Sequence, residues 1–163
     1  MFIKKIVWIF ISLFAFHAFQ AGTGYAKELA VVVHQDNETD DVSSEQLRRI
    51  FTLEQKFWKK GERIYLLLWE SGGFQKHIVL EKVYRMSEPD LKRFWINLMF
   101  LGEASSFPKT LNSDEAVKRF VRGVPNAIGF IDAGAVDETV KALKVDGKAA
   151  GDLAYPLKDS PKE

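Results

Sequence analysis

Ser71, Gly72 and Gly73 stand between an apolar run and a helical pattern, with Lys76 and His77 one turn further on. A serine hydroxyl and glycine N–H groups at a helix start are donors suited to an anion. The first-turn N–H groups lack intrahelical partners, and the helix dipole favours negative charge there. The chemistry supported is capture of a small oxyanion at Ser71, Gly72 and Gly73, with Lys76 or His77 adding charge. The same residues also admit a plainer reading, in which Ser71 caps the helix and the glycines only permit the turn.

Other constellations carry less. Asp36, Glu38 and Asp40 alternate as in a calcium loop. Asp41, however, stands where the sharp turn needs glycine, and Leu47 where a bidentate acid belongs, so the stretch reads as a solvated loop. Trp69-Glu70-Ser71-Gly72-Gly73 is not a nucleophile elbow, because Trp69 occupies the first glycine position. His34 and His77 are the only histidines after position 26, and no paired-histidine spacing exists. No constellation meets the requirements of a catalytic site, so the expectation is a non-enzyme without cofactor or metal.

The turn depends on the elements around it. Ile64 to Trp69 is an almost unbroken apolar run, expected as a strand buried on both faces, and Phe74 onward resumes with helical spacing. Leu29 to His34 is β-branched and continuous, a first buried strand followed by an acidic loop over 35–41. Ser43 opens a helix with a Ser-x-x-Gln capping box, and Leu47, Ile50 and Phe51 share one face. Ser87 caps a second helix whose Leu91, Phe94, Trp95, Leu98 and Met99 form a core stripe. After a loop over 103–111, Asn112 or Ser113 caps a third, with Ala116, Val117, Phe120 and Val121 inward. Pro125-Asn126 then turns into a buried strand whose Gly129 marks a close approach. Val140 to Val145 is a last strand ending in the Asp146-Gly147 turn. Strands alternating with helices imply an α/β fold with a mostly parallel sheet.

A chain of 163 residues with 47% hydrophobic content is one domain by length and can bury a core. Residues 1–26 read as a secretory signal peptide: Lys4 and Lys5 precede an apolar run over 6–19, and Gly24 and Ala26 suit the cleavage site. The expectation is a periplasmic mature protein from Lys27 with no membrane span once the signal is cleaved, the alternative being that the apolar run stays uncleaved as a membrane anchor. Beyond Lys4 and Lys5 the chain has 21 basic against 22 acidic side chains, which gives no reason to expect nucleic acid as partner. The absence of cysteine excludes disulfides, thiolate metal sites and a lipoprotein anchor.

Leu47-x-x-Ile50-Phe51, Trp58-x-x-Gly61, Trp95 with Phe100-x-Gly102, and above all Pro125-x-Ala127-Ile128-Gly129-Phe130 resemble the phosphate substrate-binding proteins of bacterial ABC transporters. Tyr155-Pro156-Leu157 is similar to the point where such chains leave their second lobe. The resemblance covers most of 29–157. It implies a type II periplasmic binding-protein fold, here a single lobe over 27–157 with a polar tail over 158–163. It also implies phosphate or a similar oxyanion at the strand-to-helix turn, where that family carries Ser-Gly-Thr. Ser71 and Gly72 match, and Gly73 stands in place of the threonine. The alternative expectation is an envelope accessory protein that keeps the lobe as a scaffold, meeting an envelope partner or a second copy.

Overall fold

The computed structural model describes residues 27–70 and 72–159. The expected signal segment, Ser71 and the last four residues of the tail lie outside them. Among the described residues six strands form one sheet, in the order β2-β6-β1-β5-β3-β4. In chain order these are β1 (Leu29–Val33), β2 (Asp41–Val42), β3 (Tyr65–Trp69), β4 (Lys109–Leu111), β5 (Ala127–Asp132) and β6 (Lys141–Val145). β1 runs antiparallel to both neighbours, while β2·β6, β3·β4 and β3·β5 are parallel. Five strands therefore point one way and β1 alone points the other.

Side chains alternate between the two faces of the sheet, as strand geometry requires. Leu29, Val31, Val33, Leu66, Ile128 and Phe130 pack on one face against helices α1 (Ser44–Phe51), α2 (Phe74–Ile78) and α3 (Glu88–Phe100). Ala30, Val32, Leu67, Ala127 and Ile131 pack on the other face against Val117 and Val121 of α4 (Asp114–Gly123). The helices start where short hydroxyl side chains say they should. Ser43, Ser87 and Ser113 accept hydrogen bonds from the backbone N–H groups of Gln46, Asp90 and Ala116. α2 continues without a break into π-helical turns over Val79–Tyr84 and stops at Arg85 in the left-handed region, φ 55°.

Gly129 shows why one strand position must lack a side chain. A Cβ there would lie 3.1 Å from Leu67 Cβ and 3.1 Å from Val117 Cγ1. The close approach expected at this glycine is therefore that of β3 and α4, not of a ligand. The C-terminal segment docks on β1: the Tyr155 hydroxyl donates to Leu29 O at 2.8 Å, and Leu29 N–H donates to Leu157 O at 2.9 Å. Asp146 (φ 52°) and Gly147 (φ 74°) close the expected turn after β6, with Lys148 N–H donating back to Val145 O at 3.1 Å.

Several elements depart from the pattern in the sequence. Tyr65, the first residue of β3, is 50% exposed and Leu68 and Trp69 are half-buried, so only Leu66 and Leu67 of that strand are fully buried. On α3 only Trp95 is fully buried; Leu91, Phe94, Leu98 and Met99 sit half-covered at the margin of the core. Phe57 and Trp58 part company: Trp58 is buried and its indole N–H donates to Asn126 O at 3.2 Å, while Phe57 is exposed. β2 and β4 fall in stretches that read as loops, because each has only two or three residues and its pairing is imposed by the neighbouring strand. The Tyr84 hydroxyl and Trp95 indole N–H are both buried side by side, and among the described residues neither meets a partner in good hydrogen-bond geometry. Burial pushes the Tyr84 phenol well above its ordinary range, with Trp95 opposing that shift.

Lys118 on α4 is held between Glu115, at 2.5 Å, and Asp137, at 2.7 Å, just beyond β5. Hydrogen bonds from Lys118 and then Thr139 hold the Asp137 carboxyl well below the usual carboxylate range. A depressed carboxyl contributes stability above its unfolded pKa, and that contribution is lost as pH falls through the folded value. Urea midpoints at neutral and acid pH should therefore converge in Asp137→Asn, through a lower midpoint at neutral pH. Gly129→Ala should cost about 1–3 kcal/mol in the same assay, since neither Leu67 Cβ nor helix α4 can retreat freely.

Candidate functional site

Because five strands share a direction, their carboxyl ends gather at one edge of the sheet. The chain leaves β3 through Glu70–Gly73 into α2 on one face, and leaves β4 through Asn112 and Ser113 into α4 on the other. Adjacent parallel strands whose following helices diverge to opposite faces open a crevice between them, where ligands of α/β sheets sit. The two exits lie side by side: Trp69 pairs with Leu111, and Glu70 N–H donates to Leu111 O at 3.0 Å.

Gly73 holds φ 135° and ψ −178°, a conformation that side-chain-bearing residues rarely adopt, and it is the N-cap of α2. Having no side chain, it supplies no cap, and among the described residues no side-chain cap hydrogen bond meets the first-turn N–H groups. Gly72 is exposed and a Cβ there would meet nothing, so its lack of a side chain leaves the approach to the turn open without being required by packing. Ser71 lies outside the described residues.

The cations expected to help are already engaged. Lys76 Nζ is ion-paired with Glu88 at the start of α3. His77 Nδ1 lies 3.6 Å from Glu81 and 3.5 Å from Asp159. A different cation comes to the turn from far away in sequence: Lys27 Nζ stands 4.9 Å above the ring of Phe74, the first residue of α2. Among the described residues Lys27 makes no ion pair, so its charge is available at that helix start.

Carboxylates surround the crevice, but two of the three are committed to backbone. Asp114 accepts Asp132 N–H at 3.0 Å, tying the start of α4 to the end of β5, and Asp132 accepts Gly134 N–H at 2.8 Å. Glu70 is exposed and stands next to the turn. Ser113, across the crevice on the β4 side, uses its hydroxyl to cap α4 at 3.2 Å from Ala116 N. Sequence reasoning found Ser113 only as a cap and did not find Lys27 at all. Their proximity to the turn follows from the β3·β4 register and from the place of β1 in the sheet, neither of which leaves a local signal.

Away from the edge the other sequence candidates are occupied structurally. Glu38 pairs with Lys60 and Asp40 with Lys141, so two of the three alternating acids of the 35–41 loop bind lysines. His34 Nδ1 accepts Asp36 N–H at 3.1 Å, closing its own turn. Among the described residues there is no group of three or more metal-ligating side chains, and no helix is long and apolar enough to cross a membrane.

No family model matches the chain. The phosphate-binding protein PstS of Bacillus subtilis is 28% identical over 120 residues, which make up 73% of this chain and 36% of that protein. A Clostridium perfringens chain assigned as a phosphate ABC transporter substrate-binding protein, solved with bound phosphate, superposes with a TM-score of 0.59 at 25% identity. That match covers 76% of this chain and 47% of the other. PstS from Borrelia burgdorferi superposes with a TM-score of 0.63 at 14% identity, over 82% of this chain and 55% of its own. The chain thus spans about half, or less, of the length of the proteins it matches. Over some three quarters of its own length it resembles the substrate-binding proteins of phosphate ABC transporters, and it carries the α/β fold of one lobe of a type II periplasmic binding protein.

Proposed function

We propose that this chain is an exported, non-enzymatic solute-binding lobe that takes phosphate or a similar small oxyanion at the β3–α2 turn. The Ser71 hydroxyl and the N–H groups of Gly72, Gly73 and Phe74 are the donors. Lys27, which makes no ion pair among the described residues, supplies charge at the helix start, and Lys76, paired with Glu88, contributes less. The observation that supports the reading is the position of α2: among the described residues its first turn has no side-chain cap, and it opens where β3 and β4 send their helices to opposite faces. The resemblance to phosphate-binding relatives, one of them solved with phosphate bound, supports the same ligand. Export rests on the charged, apolar and small-residue pattern of 1–26.

A second reading is favoured by other observations. Glu70 adds negative charge beside the turn, Glu88 neutralises Lys76, and Phe100 and Leu101 are 89% and 67% exposed at the end of α3. An accessory protein of the envelope that keeps the lobe as scaffold would tolerate the first two and use the third against an envelope partner or a second copy.

Calorimetric titration of phosphate decides between them. Binding should be saturable. Ser71→Ala should weaken it by about 1 kcal/mol or more, and Glu70→Gln should strengthen it by removing like-charge repulsion. No heat and no thermal shift at millimolar phosphate would leave the scaffold reading in possession. For export, mass spectrometry of the periplasmic fraction should find a chain beginning at Lys27.

A further inference from the structure

At the opposite end of β3, far from the turn, the sheet has a step. β4 begins only at Lys109, level with Leu67, so Tyr65 and Leu66 have β5 on one side and no strand on the other. The connection from α3 to β4 skirts this gap instead of filling it. A cavity of about 510 Å³ results, within the range of small-molecule sites. Its walls are rings: Tyr65, Trp95, Phe107 and Phe120. Trp95 is buried, whereas Tyr65 and Phe107 remain 50% and 47% exposed, an unusual state for two large rings facing one space.

The charge on this cavity is one-sided. Among the described residues Arg63 and Lys109 line it, and no carboxylate does. Among the described residues neither makes an ion pair. The cavity beside Trp58 instead mixes Asp36, Glu38 and Glu62 with its lysines. Lys109 Nζ stands 5.6 Å over the Phe120 ring, which holds its ammonium at the cavity wall. Flat apolar walls with two uncompensated cations at the rim complement a flat apolar body that carries a negative group.

We propose that this cavity is a binding site for a small aromatic carboxylate, whose ring stacks among Tyr65, Phe107 and Phe120 and whose carboxylate meets Arg63 and Lys109. The site is separate from the β3–α2 turn and stands whether or not that turn binds phosphate. Ring stacking supplies most of the burial, and the two cations supply orientation, since an ionised acceptor strengthens each hydrogen bond it receives.

The test is calorimetric titration of 1-naphthoate into the protein, beside the neutral 1-naphthalenemethanol and the aliphatic octanoate. Saturable 1-naphthoate binding is expected, with each comparison ligand at least about tenfold weaker. The exposed pair Arg63→Gln/Lys109→Gln should lose about tenfold or more in affinity with an unchanged melting temperature, and Phe107→Ala should weaken binding through lost stacking. Excess phosphate should leave the 1-naphthoate titration unchanged. Four results would overturn the proposal: no saturable heat at millimolar 1-naphthoate, an affinity indifferent to the double substitution, equal or better binding of octanoate or the alcohol, or displacement by phosphate.

Discussion

The complete burial of β1 is the constraint on which this lobe depends. Leu29, Ala30, Val31, Val32 and Val33 are each 0% exposed, so both faces of one strand must be covered at once. The odd residues require α1 and the helices after β3, and the even ones require α4. Antiparallel pairing on both edges places β5, β3 and β4 on one side and β6 and β2 on the other. The C-terminal segment closes on the same strand through Tyr155 and Leu157. Lost burial at β1 would therefore be felt in both layers.

That arrangement also decides where chemistry can occur. With five strands parallel, helix starts accumulate at one edge, and the divergence of α2 and α4 opens that edge between β3 and β4. Electrostatics there are finely balanced. The helix start and Lys27 favour an anion, Glu70 opposes it, and Asp114 and Asp132 are spent on backbone N–H groups. Engagement of Lys76 by Glu88 removes a cation that the chain places only one turn away. The resulting field is weaker than the residue types suggest, which is why phosphate affinity, and not fold, separates the two functional readings.

The short β4 has consequences at both of its ends. At its carboxyl end it delivers Ser113 to the crevice; at its amino end it stops short of Tyr65 and Leu66 and leaves the aromatic cavity. A three-residue edge strand with exposed Lys109 and Thr110 also resists edge-to-edge pairing with other sheets. Exposed Phe107 and Tyr65 are then the price of a gap that a longer strand would have filled.

Local chemistry was enough to read much of this fold. Serine caps at Ser43, Ser87 and Ser113, the β-branched run of β1, the apolar face of α1, the Asp146-Gly147 turn and the glycine at 129 all carry their instructions within a few residues, because capping, turn geometry and side-chain periodicity act over that range. The overall likeness to phosphate substrate-binding proteins was legible in the sequence as well. What tertiary structure alone decided involves partners distant in the chain. β2 and β4 are strands only because β6 and β3 offer them hydrogen bonds. Trp95 is buried while Phe94 and Met99 of the same stripe stay at the margin, since the core ends where the helix passes the edge of the sheet. Lys27 reaches Phe74, Glu88 captures Lys76, and Arg63 meets Lys109 around one cavity, through strand order and register, which no short window of sequence contains.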